Sequence, residues 1–375
     1  MTTPTAMRLF DPADFEIPEG CVSVCTGGES PFLRSHAEAY SRYAADKGNG
    51  SMGRTAIDER VHAARARLAG MWHTSEDRIG FSPSVADGMS LLAESLALGL
   101  GDSVVFAEQE YPSVVMPFLA LSRRRGFQVR LAPDASQIPN YVDRGVKLIG
   151  ASYVSYLNGG RVEIGGLREL ADSVGALLAV DFTQAAGYTP IHADLCDFAF
   201  SSCYKWLLGT TGVAVAYWNR ARQPDWRPNT AGWHSIRPSS IGGGPGYAAG
   251  VALKEDAMCF ARGNPAHLPI YVLDNALQYL SRFAVETVDA HVHLLTTALL
   301  RGLRNLGFPV ITPDEPDAHG ASVAFEAPDS ERLTDTLAGS GILAWGGVGR
   351  VRFSFHGFNA PEDVSSILTA LRQTL

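Results

Sequence analysis

Residues 180–212 read VDFTQAAGYTPIHADLCDFAFSSCYKWLLGTTG, and this stretch decides the fold. One apolar run ends at Asp181, and a second apolar run ends just before Lys205. Short apolar runs bounded by polar residues are typical of strands that are buried on both faces. In open α/β sheets, ligands bind at the carboxyl ends of the strands. We therefore predict that Asp181 and Lys205 emerge at the same edge of one sheet.

Apolar runs alternate with helical patterns through most of the chain. This alternation predicts an α/β fold with a mostly parallel, seven-stranded sheet sandwiched by helices. Strands are predicted at 77–82, 102–108, 126–132, 147–154, 176–182, 197–202 and 213–218. Helical patterns cover about 51–70, 85–99 and 268–305, and another begins after Pro112.

The pattern changes after residue 218. Residues 219–262 are rich in Gly, Pro, Ser and Trp, a composition that predicts ordered loop. Beyond them, strand and helix patterns from 321 to the final helix at Pro361 predict a small α+β domain. We therefore predict an N-terminal segment at 1–25 that packs on the small domain, a large domain at 26–262, and a long linking helix with the small domain at 263–375.

Composition excludes several classes of protein. The chain has 375 residues and a formal net charge of −8, without a block rich in Lys and Arg, so nucleic acid is not an expected partner. No apolar run approaches the roughly 20 residues that span a bilayer, so no membrane association is expected. The first 20 residues lack the basic and apolar parts of a signal peptide, which makes a cytoplasmic location the expectation. The five cysteines form no CxxC pair, so no metal site is expected.

A buried acid and a buried amine at one sheet edge suit a particular kind of chemistry. The carboxylate of Asp181 can keep a bound pyridine nitrogen protonated through a charge-assisted hydrogen bond. A protonated ring withdraws electrons from a carbanion at a substrate α-carbon. Lys205 can form an imine with the ring's aldehyde and later move the α-proton as a base. Alone, however, such a pair is more often a surface lysine and a strand-end carboxylate with a satisfied hydrogen bond.

The surrounding motif favours the chemical interpretation. The sequence V-D-x-T-Q followed by S-x-Y-K-W-L-L-G resembles the class V aminotransferases of fold type I, which use pyridoxal 5′-phosphate (PLP). That family includes cysteine desulfurases, kynureninases and isopenicillin N epimerase-like proteins. The resemblance runs over roughly 50–375 and implies that Lys205 holds PLP as a Schiff base. It also implies a large PLP-binding domain and a small C-terminal domain.

The resemblance implies a set of cofactor-binding residues. Asp181 would meet the pyridine nitrogen and Gln184 the phenolic oxygen, and Tyr111 in EQEYPSV would stack on the ring. Phosphate would be bound at the helix that begins in FSPSVADG and by the residues just before Lys205. Ser84 in that motif could instead be an ordinary helix cap, and Asn158 in YLNGG an ordinary turn residue. The full cofactor set is Ser84, Val85, Ala86, Tyr111, Asn158, Asp181, Gln184, Ser202, Tyr204, Lys205 and Asn264.

Substrate and partner contacts follow from the same resemblance. In GRVRFSFHGFN, Arg352 would clamp the α-carboxylate of an amino acid substrate with its planar guanidinium. Trp233 and His234 are candidates for lining the pocket; the alternative is that they only fill space in a packed loop. Trp345 is expected to close over the substrate. Asn264 in ARGNPAH stands where relatives carry threonine and reach the phosphate of the neighbouring subunit. A homodimer with shared sites is therefore expected.

The reaction outcome stays open at the level of sequence. Desulfurases carry a nucleophilic cysteine ahead of the carboxylate-binding arginine, whereas GILAWGGVGRVRF has none and no cysteine follows Cys259. β-Elimination, transamination and epimerisation all begin with α-proton removal. We favour C–S elimination on a cysteine S-conjugate, with an aminotransferase or epimerase as the alternative.

Two other classes of protein are less consistent with these residues. A catalytically idle ligand-binding protein would not need Lys205, Asp181 and Arg352 together. A nucleotide-binding dehydrogenase would use a glycine-rich loop, but GGGPG at 242–246 follows no strand and opens no helix.

Overall fold

The predicted seven-stranded sheet is present in the computed structural model, which describes residues 8–237, 250 and 252–374. The GGGPG run lies outside the described residues. The strands are β1 (Val22–Ser23), β2 (Ile79–Ser82), β3 (Ser103–Ala107), β4 (Gln128–Ala132), β5 (Val146–Ser152), β6 (Leu177–Asp181), β7 (Phe198–Ser202), β8 (Ala214–Trp218), β9 (Ser322–Glu326), β10 (Ile342–Leu343), β11 (Trp345–Gly347) and β12 (Arg350–Ser354).

The large sheet has the order β2-β8-β7-β6-β5-β3-β4. Its strands β7, β6, β5, β3 and β4 are parallel, whereas β8 runs antiparallel to both β7 and β2. Side chains alternate between two cores: Val104 and Phe106 pack with α3 and α4 residues on one face, and Val105 packs on the other. The structure therefore confirms an α/β fold with a mostly parallel sheet covered on both faces.

The α-helices cover both faces of this sheet and complete the C-terminal part of the chain. In the described ranges, no helix combines the length and apolar character needed to span a membrane. Their bounds are α1 (His36–Gly48), α2 (Gly50–Met71), α3 (Val85–Ser95), α4 (Pro112–Arg125), α5 (Ile164–Val174), α6 (His267–Leu280), α7 (Val285–Asn305), α8 (Ser330–Gly339) and α9 (Pro361–Arg372).

The long helix predicted over 268–305 is wrong. The chain forms two helices, α6 and α7, which are separated at residues 281–284. Phe283 in this break packs against Phe10, with the two ring centroids 4.6 Å apart, and Ala284 adopts an extended conformation. No glycine or proline lies at residues 281–284, so tertiary aromatic packing, and not a local helix breaker, accounts for the break.

Two small sheets join the ends of the chain. Strands β11, β12 and β9 form an antiparallel sheet, and β1 pairs in parallel with β10. The backbone N–H groups of Leu9 and Phe10 both donate to the carbonyl oxygen of Gly357 at 2.9 Å. The described part of the N-terminal segment thus lies against C-terminal residues, while the predicted domain boundaries stay a prediction.

The turn between β11 and β12 contains a strained residue. Val348 has a φ of +51° and is followed by Gly349 at +72°, and the Val348 side chain is 86% exposed. A left-handed conformation costs a branched residue about 1–2 kcal/mol, and two-residue hairpin turns of this kind favour Asn-Gly.

Val348→Asn is therefore expected to raise the free energy of unfolding by about 0.5–1 kcal/mol. Denaturant titration of the cofactor-loaded protein would measure the change. Val348→Ala serves as the matched control because it also removes the exposed isopropyl group but gains no left-handed preference. If Val348→Asn and Val348→Ala were equally stable, backbone strain at Val348 would be excluded as the cause.

Candidate active site

The carboxyl ends of three neighbouring strands lie level with one another. Ser152 at the end of β5 pairs with Asp181 at the end of β6, which in turn pairs with Phe200 of β7. Lys205 follows three residues after β7 ends. Asp181 and Lys205 are only 4% and 5% exposed, and the charge of each acts on the pKa of the other. The sequence prediction that places both side chains at one sheet edge agrees with this geometry.

The Lys205 amine lies in a desolvated, aromatic environment. Its Nζ is 5.5 Å from the ring centroids of both Tyr111 and Tyr204. Burial, together with the positive charge of Arg352, lowers the pKa of Lys205 to about 8, although Asp181 opposes the change. A substantial neutral fraction of this amine therefore exists near physiological pH, as imine formation requires.

Asp181 is a buried acid held by a short loop. Its Oδ1 accepts a hydrogen bond from the backbone N–H of Thr183 at 2.8 Å. Burial raises the pKa of Asp181, while the Thr183 hydroxyl and N–H and the charge of Lys205 oppose the rise. The Thr183 hydroxyl also accepts from the backbone N–H of Ser202 at 2.9 Å and so ties the ends of β6 and β7 together. A desolvated carboxylate of this kind is suited to pair with a cationic ring nitrogen.

The start of α3 lies at the same edge of the sheet. Ser82 and Ser202 both pair with Ala214 of β8, so the ends of β2 and β7 flank that strand at one level. The Ser84 hydroxyl caps α3: it accepts from the N–H of Asp87 and donates to its carboxylate. Because the Ser84 hydroxyl makes both of these hydrogen bonds with Asp87, its only proton is already donated and is not directed at an anion. The N–H groups of Val85 and Ala86, in the first turn, are the available anion donors.

Residues 24–30 form a loop, here called the N-terminal loop, that reaches the Lys205 region and that sequence reasoning missed. Gln184 Nε2 donates to the carbonyl oxygen of Gly27 at 3.0 Å, and the Ser30 hydroxyl donates to that of Tyr204 at 3.2 Å. A Cβ atom on Gly27 would lie 2.5 Å from Ser354 Oγ, so only glycine fits there. No motif in the sequence links this loop to the site.

The N-terminal loop also brings a thiol to the site. The Cys25 thiol and the Trp345 ring flank Gly28, where a Cβ would lie 3.3 Å and 3.2 Å from them. Burial raises the pKa of Cys25, and the charge of Arg352 opposes that rise without reversing it. The thiol is therefore mostly protonated at neutral pH. Cys203, next to Lys205, is fully buried, and burial raises its pKa to about 12.

Arg352 lies among aromatic side chains at the opposite side of the site. It is 3% exposed, its Nη1 donates to the carbonyl oxygen of Tyr156 at 2.5 Å, and its guanidinium lies 5.1 Å from the Trp345 ring centroid. The Tyr156 ring contacts Tyr111 edge-on with centroids 5.0 Å apart. Arg352 and Trp345 are thus linked to Lys205 through the rings of Tyr156 and Tyr111. The three rings of Tyr111, Tyr156 and Trp345 are here called the aromatic wall.

Glu110, beside Tyr111, is a partly buried acid that the sequence did not single out. It accepts hydrogen bonds from the backbone N–H groups of Tyr111 and Ser152, each at 2.7 Å, and from the Ser152 hydroxyl. Burial raises the pKa of Glu110, and Asp181 adds to the rise. Glu110 therefore fixes the backbone that carries Tyr111.

Asn158 adopts the turn that was its alternative interpretation. Its Oδ1 accepts from the backbone N–H of Gly160 at 2.9 Å, and Thr312 donates to its carbonyl oxygen at 2.6 Å. The side chain lines a cavity of about 450 Å³ that also contacts Glu110 and Tyr156. A contact between Asn158 and the cofactor stays a prediction.

Trp233, His234 and Asn264 lie away from Lys205 within one chain. Trp233 and His234 line a separate cavity of about 390 Å³, and Asn264 accepts from Arg54, which lines the same cavity, at 3.2 Å. Burial and Lys254 lower the pKa of His234 to about 4. The expectation that Trp233 and His234 line the Lys205 pocket is therefore not met by a single chain, because both residues line a cavity with side chains of α2 instead.

Comparison with known proteins places this geometry in a family. The aminotransferase class-V family model matches residues 29–367. A probable cysteine desulfurase of Pyrococcus abyssi is 23% identical over 371 residues, covering 92% of this chain and 90% of the relative.

Solved structures share the fold. The apo cysteine desulfurase of Thermococcus onnurineus superposes with a TM-score of 0.87 at 21% identity, covering 99% of both chains. A cystine C–S lyase in complex with its product cysteine persulfide has a TM-score of 0.84 at 20% identity, covering 94% of this chain and 97% of the other.

The site therefore combines the buried amine of Lys205 and the buried acid Asp181 at one sheet edge with the buried Arg352 of the small sheet. The chain belongs to the aminotransferase class-V family, and it is a PLP-dependent enzyme.

Proposed function

We propose that this enzyme catalyses C–S β-elimination on an S-substituted cysteine. The observation that carries the proposal is the desolvated amine of Lys205 between Asp181 and Arg352, in a chain whose 341–353 segment contains no cysteine. This combination supports α-proton chemistry without the usual persulfide-forming thiol. The fold shared with a cystine C–S lyase supports the same choice.

The described side chains fit PLP. We propose that Asp181 pairs with the ring nitrogen, Gln184 with the phenolic oxygen and Lys205 with the aldehyde. PLP, when bound, supplies an electron sink for the α-carbon of the substrate. Tyr111 would cover the ring face, and the phosphate would be held by the N–H groups of Val85 and Ala86 with Ser202 and Tyr204.

The protein's own residues would position the substrate and move its proton. Arg352 would hold the α-carboxylate, which leaves the α-hydrogen accessible to the Lys205 amine. Once the substrate amine has taken its place at the aldehyde, the neutral Lys205 amine would take that proton, and the sulfur would leave as a thiolate. The rings of Tyr111, Tyr156 and Trp345 exclude water and so strengthen the electrostatic interactions in the site.

We further propose that the site is shared between two subunits of a homodimer. Trp233, His234 and Asn264 surround a cavity of their own rather than Lys205 of the same chain. The dimer proposal gives these three residues a place beside the partner's cofactor, as the family resemblance implies.

The reaction is tested by incubating the PLP-loaded enzyme with S-alkyl-L-cysteines. The expected result is pyruvate, ammonia and thiol in equal amounts, because elimination and hydrolysis release one of each. Cys25→Ser is expected to keep kcat/KM within about threefold, since the protonated thiol is not the attacking group. Product assays and steady-state kinetics measure both.

Other products would reassign the reaction. Brisk exchange between amino and keto acids without thiol release would identify an aminotransferase, and loss of optical activity alone would identify an epimerase. Loss of all activity in Cys25→Ser would instead point to sulfur transfer through Cys25. Cys21→Ser is a matched control from the same segment.

A further inference from the structure

Two buried arginines lie side by side on β12. Arg350 and Arg352 are 4% and 3% exposed, and because they are two residues apart they project from the same face of the strand. Both guanidinium groups lie over the Trp345 ring, with Cζ-to-centroid distances of 4.8 Å and 5.1 Å. Arg350 also lies 5.4 Å from the Tyr156 ring centroid. Arg350 therefore faces the same aromatic wall as the proposed carboxylate clamp.

These two cations have no acidic counterpart in the part of the chain that the structure describes. Neither forms an ion pair with a carboxylate there, whereas the buried Arg168 pairs with Asp197 at 2.6 Å. Arg350 Nε and Nη2 and Arg352 Nε are buried without a hydrogen-bond partner. Burial lowers the pKa of Arg352, and the neighbouring Arg350 charge lowers it further. Buried charges are normally paired, because an unpaired one is costly to desolvate.

Neighbouring titratable groups do not supply the missing charge. Burial raises the pKa of both the Tyr156 phenol and the Cys25 thiol, so both stay largely neutral at pH 7. Cation–π contacts with Trp345 stabilise the guanidinium groups but satisfy none of their N–H donors. The α-carboxylate of an amino acid would pair with only one of the two arginines.

We propose that Arg350 binds a second anionic group on the substrate. The substrate class is then an S-substituted cysteine whose substituent carries a carboxylate or sulfonate. Residues two apart on a strand are separated by about 7 Å, which is compatible with an α-carboxylate on Arg352 and a distal acid on Arg350. This inference rests on the proposed lyase function and names its substrate.

The test compares two substrates of nearly the same shape. S-Carboxymethyl-L-cysteine carries the second carboxylate, and S-carbamoylmethyl-L-cysteine replaces it with a neutral amide. The wild-type enzyme is expected to favour the acid by about 10- to 100-fold in kcat/KM, and Arg350→Gln is expected to remove most of that preference. Arg350→Lys should keep part of it. Arg332→Gln, an exposed arginine with the same charge change, should keep the wild-type preference.

A binding measurement separates this inference from the proposed reaction. Titration of the cofactor-loaded protein with either compound, followed through the visible absorption of the cofactor, gives dissociation constants even if neither compound is cleaved. Preferential binding of the acid that is lost in Arg350→Gln would support the anion site although elimination failed. Equal affinity of wild-type protein for acid and amide would overturn it. So would an equal loss for both compounds in Arg350→Gln with an unchanged thermal unfolding midpoint.

Discussion

Lys205→Met is expected to abolish the borohydride-sensitive visible absorption of the PLP-loaded protein and to lower turnover by at least about 1,000-fold. The substitution removes both the amine that forms the imine and the base that takes the α-proton, and general base catalysis alone contributes about 100- to 10,000-fold. Absorption spectra before and after borohydride, with product assays, measure the effect. Lys147→Ala, at an exposed lysine of β5, is the matched control and should behave as wild type. A variant that retains the absorption band would exclude Lys205 as the attachment site.

In the absence of cofactor, Lys205→Met should be more stable than the wild-type protein. The folded state lowers the pKa of Lys205 from 10.5 to about 8. The resulting penalty is full below about pH 8, decreases as the pH rises towards 10.5, and is absent above that value. Its upper limit is about 3 kcal/mol. Lys205→Met is therefore expected to raise the free energy of unfolding by about 1–3 kcal/mol at pH 7, with the gain disappearing near pH 10.5. Denaturant titrations at both pH values test this.

Asp181→Asn is expected to lower kcat by about 100- to 1,000-fold, the usual cost of losing one preorganised electrostatic contact to a reacting system. The amide cannot hold a proton on the ring nitrogen, so the electron sink weakens while Lys205 still forms the imine. The visible band should therefore persist, in contrast to Lys205→Met. Stopped-flow measurement of α-deuterium exchange would locate the defect at proton removal.

A cofactor analogue provides the control for Asp181. PLP methylated on its ring nitrogen carries a permanent positive charge and needs no acid to maintain it. Asp181→Asn loaded with this analogue should recover at least part of the lost exchange rate. If the analogue left the variant as slow as PLP does, Asp181 would act on the position of the ring and not on its charge.

The large sheet could be predicted because its strands are short apolar runs whose ends are marked locally. The helices were less predictable where packing against other segments determines whether a helix forms or where it ends. Helix α1 is mostly exposed and buries only His36 and Ala39, so it has almost no apolar periodicity to detect. The break between α6 and α7 depends on contact between Phe283 and Phe10, which are 273 residues apart in the sequence. Such a contact cannot be predicted from a local pattern.

The candidate site likewise contains residues that the sequence predicts and residues that only the structure reveals. Asp181 ends β6 and Lys205 closely follows the end of the adjacent strand β7, so their juxtaposition follows from the parallel topology. Cys25 and Gly27 reach the site only because β1 pairs with β10, a relation between distant segments. Arg350 stands in the same motif as Arg352, but its lack of an acidic partner is visible only in three dimensions.

The N-terminal loop has a consequence for the order in which the enzyme matures. Gly27 fits against Ser354 and Gln184, so the loop is seated only when β12 is in place. Before residues 350–354 fold, the large sheet can form, but neither Arg352 nor the loop is in place. Full assembly of the site therefore depends on β12, and truncation before residue 350 is expected to yield a protein that retains the cofactor less well than the wild type.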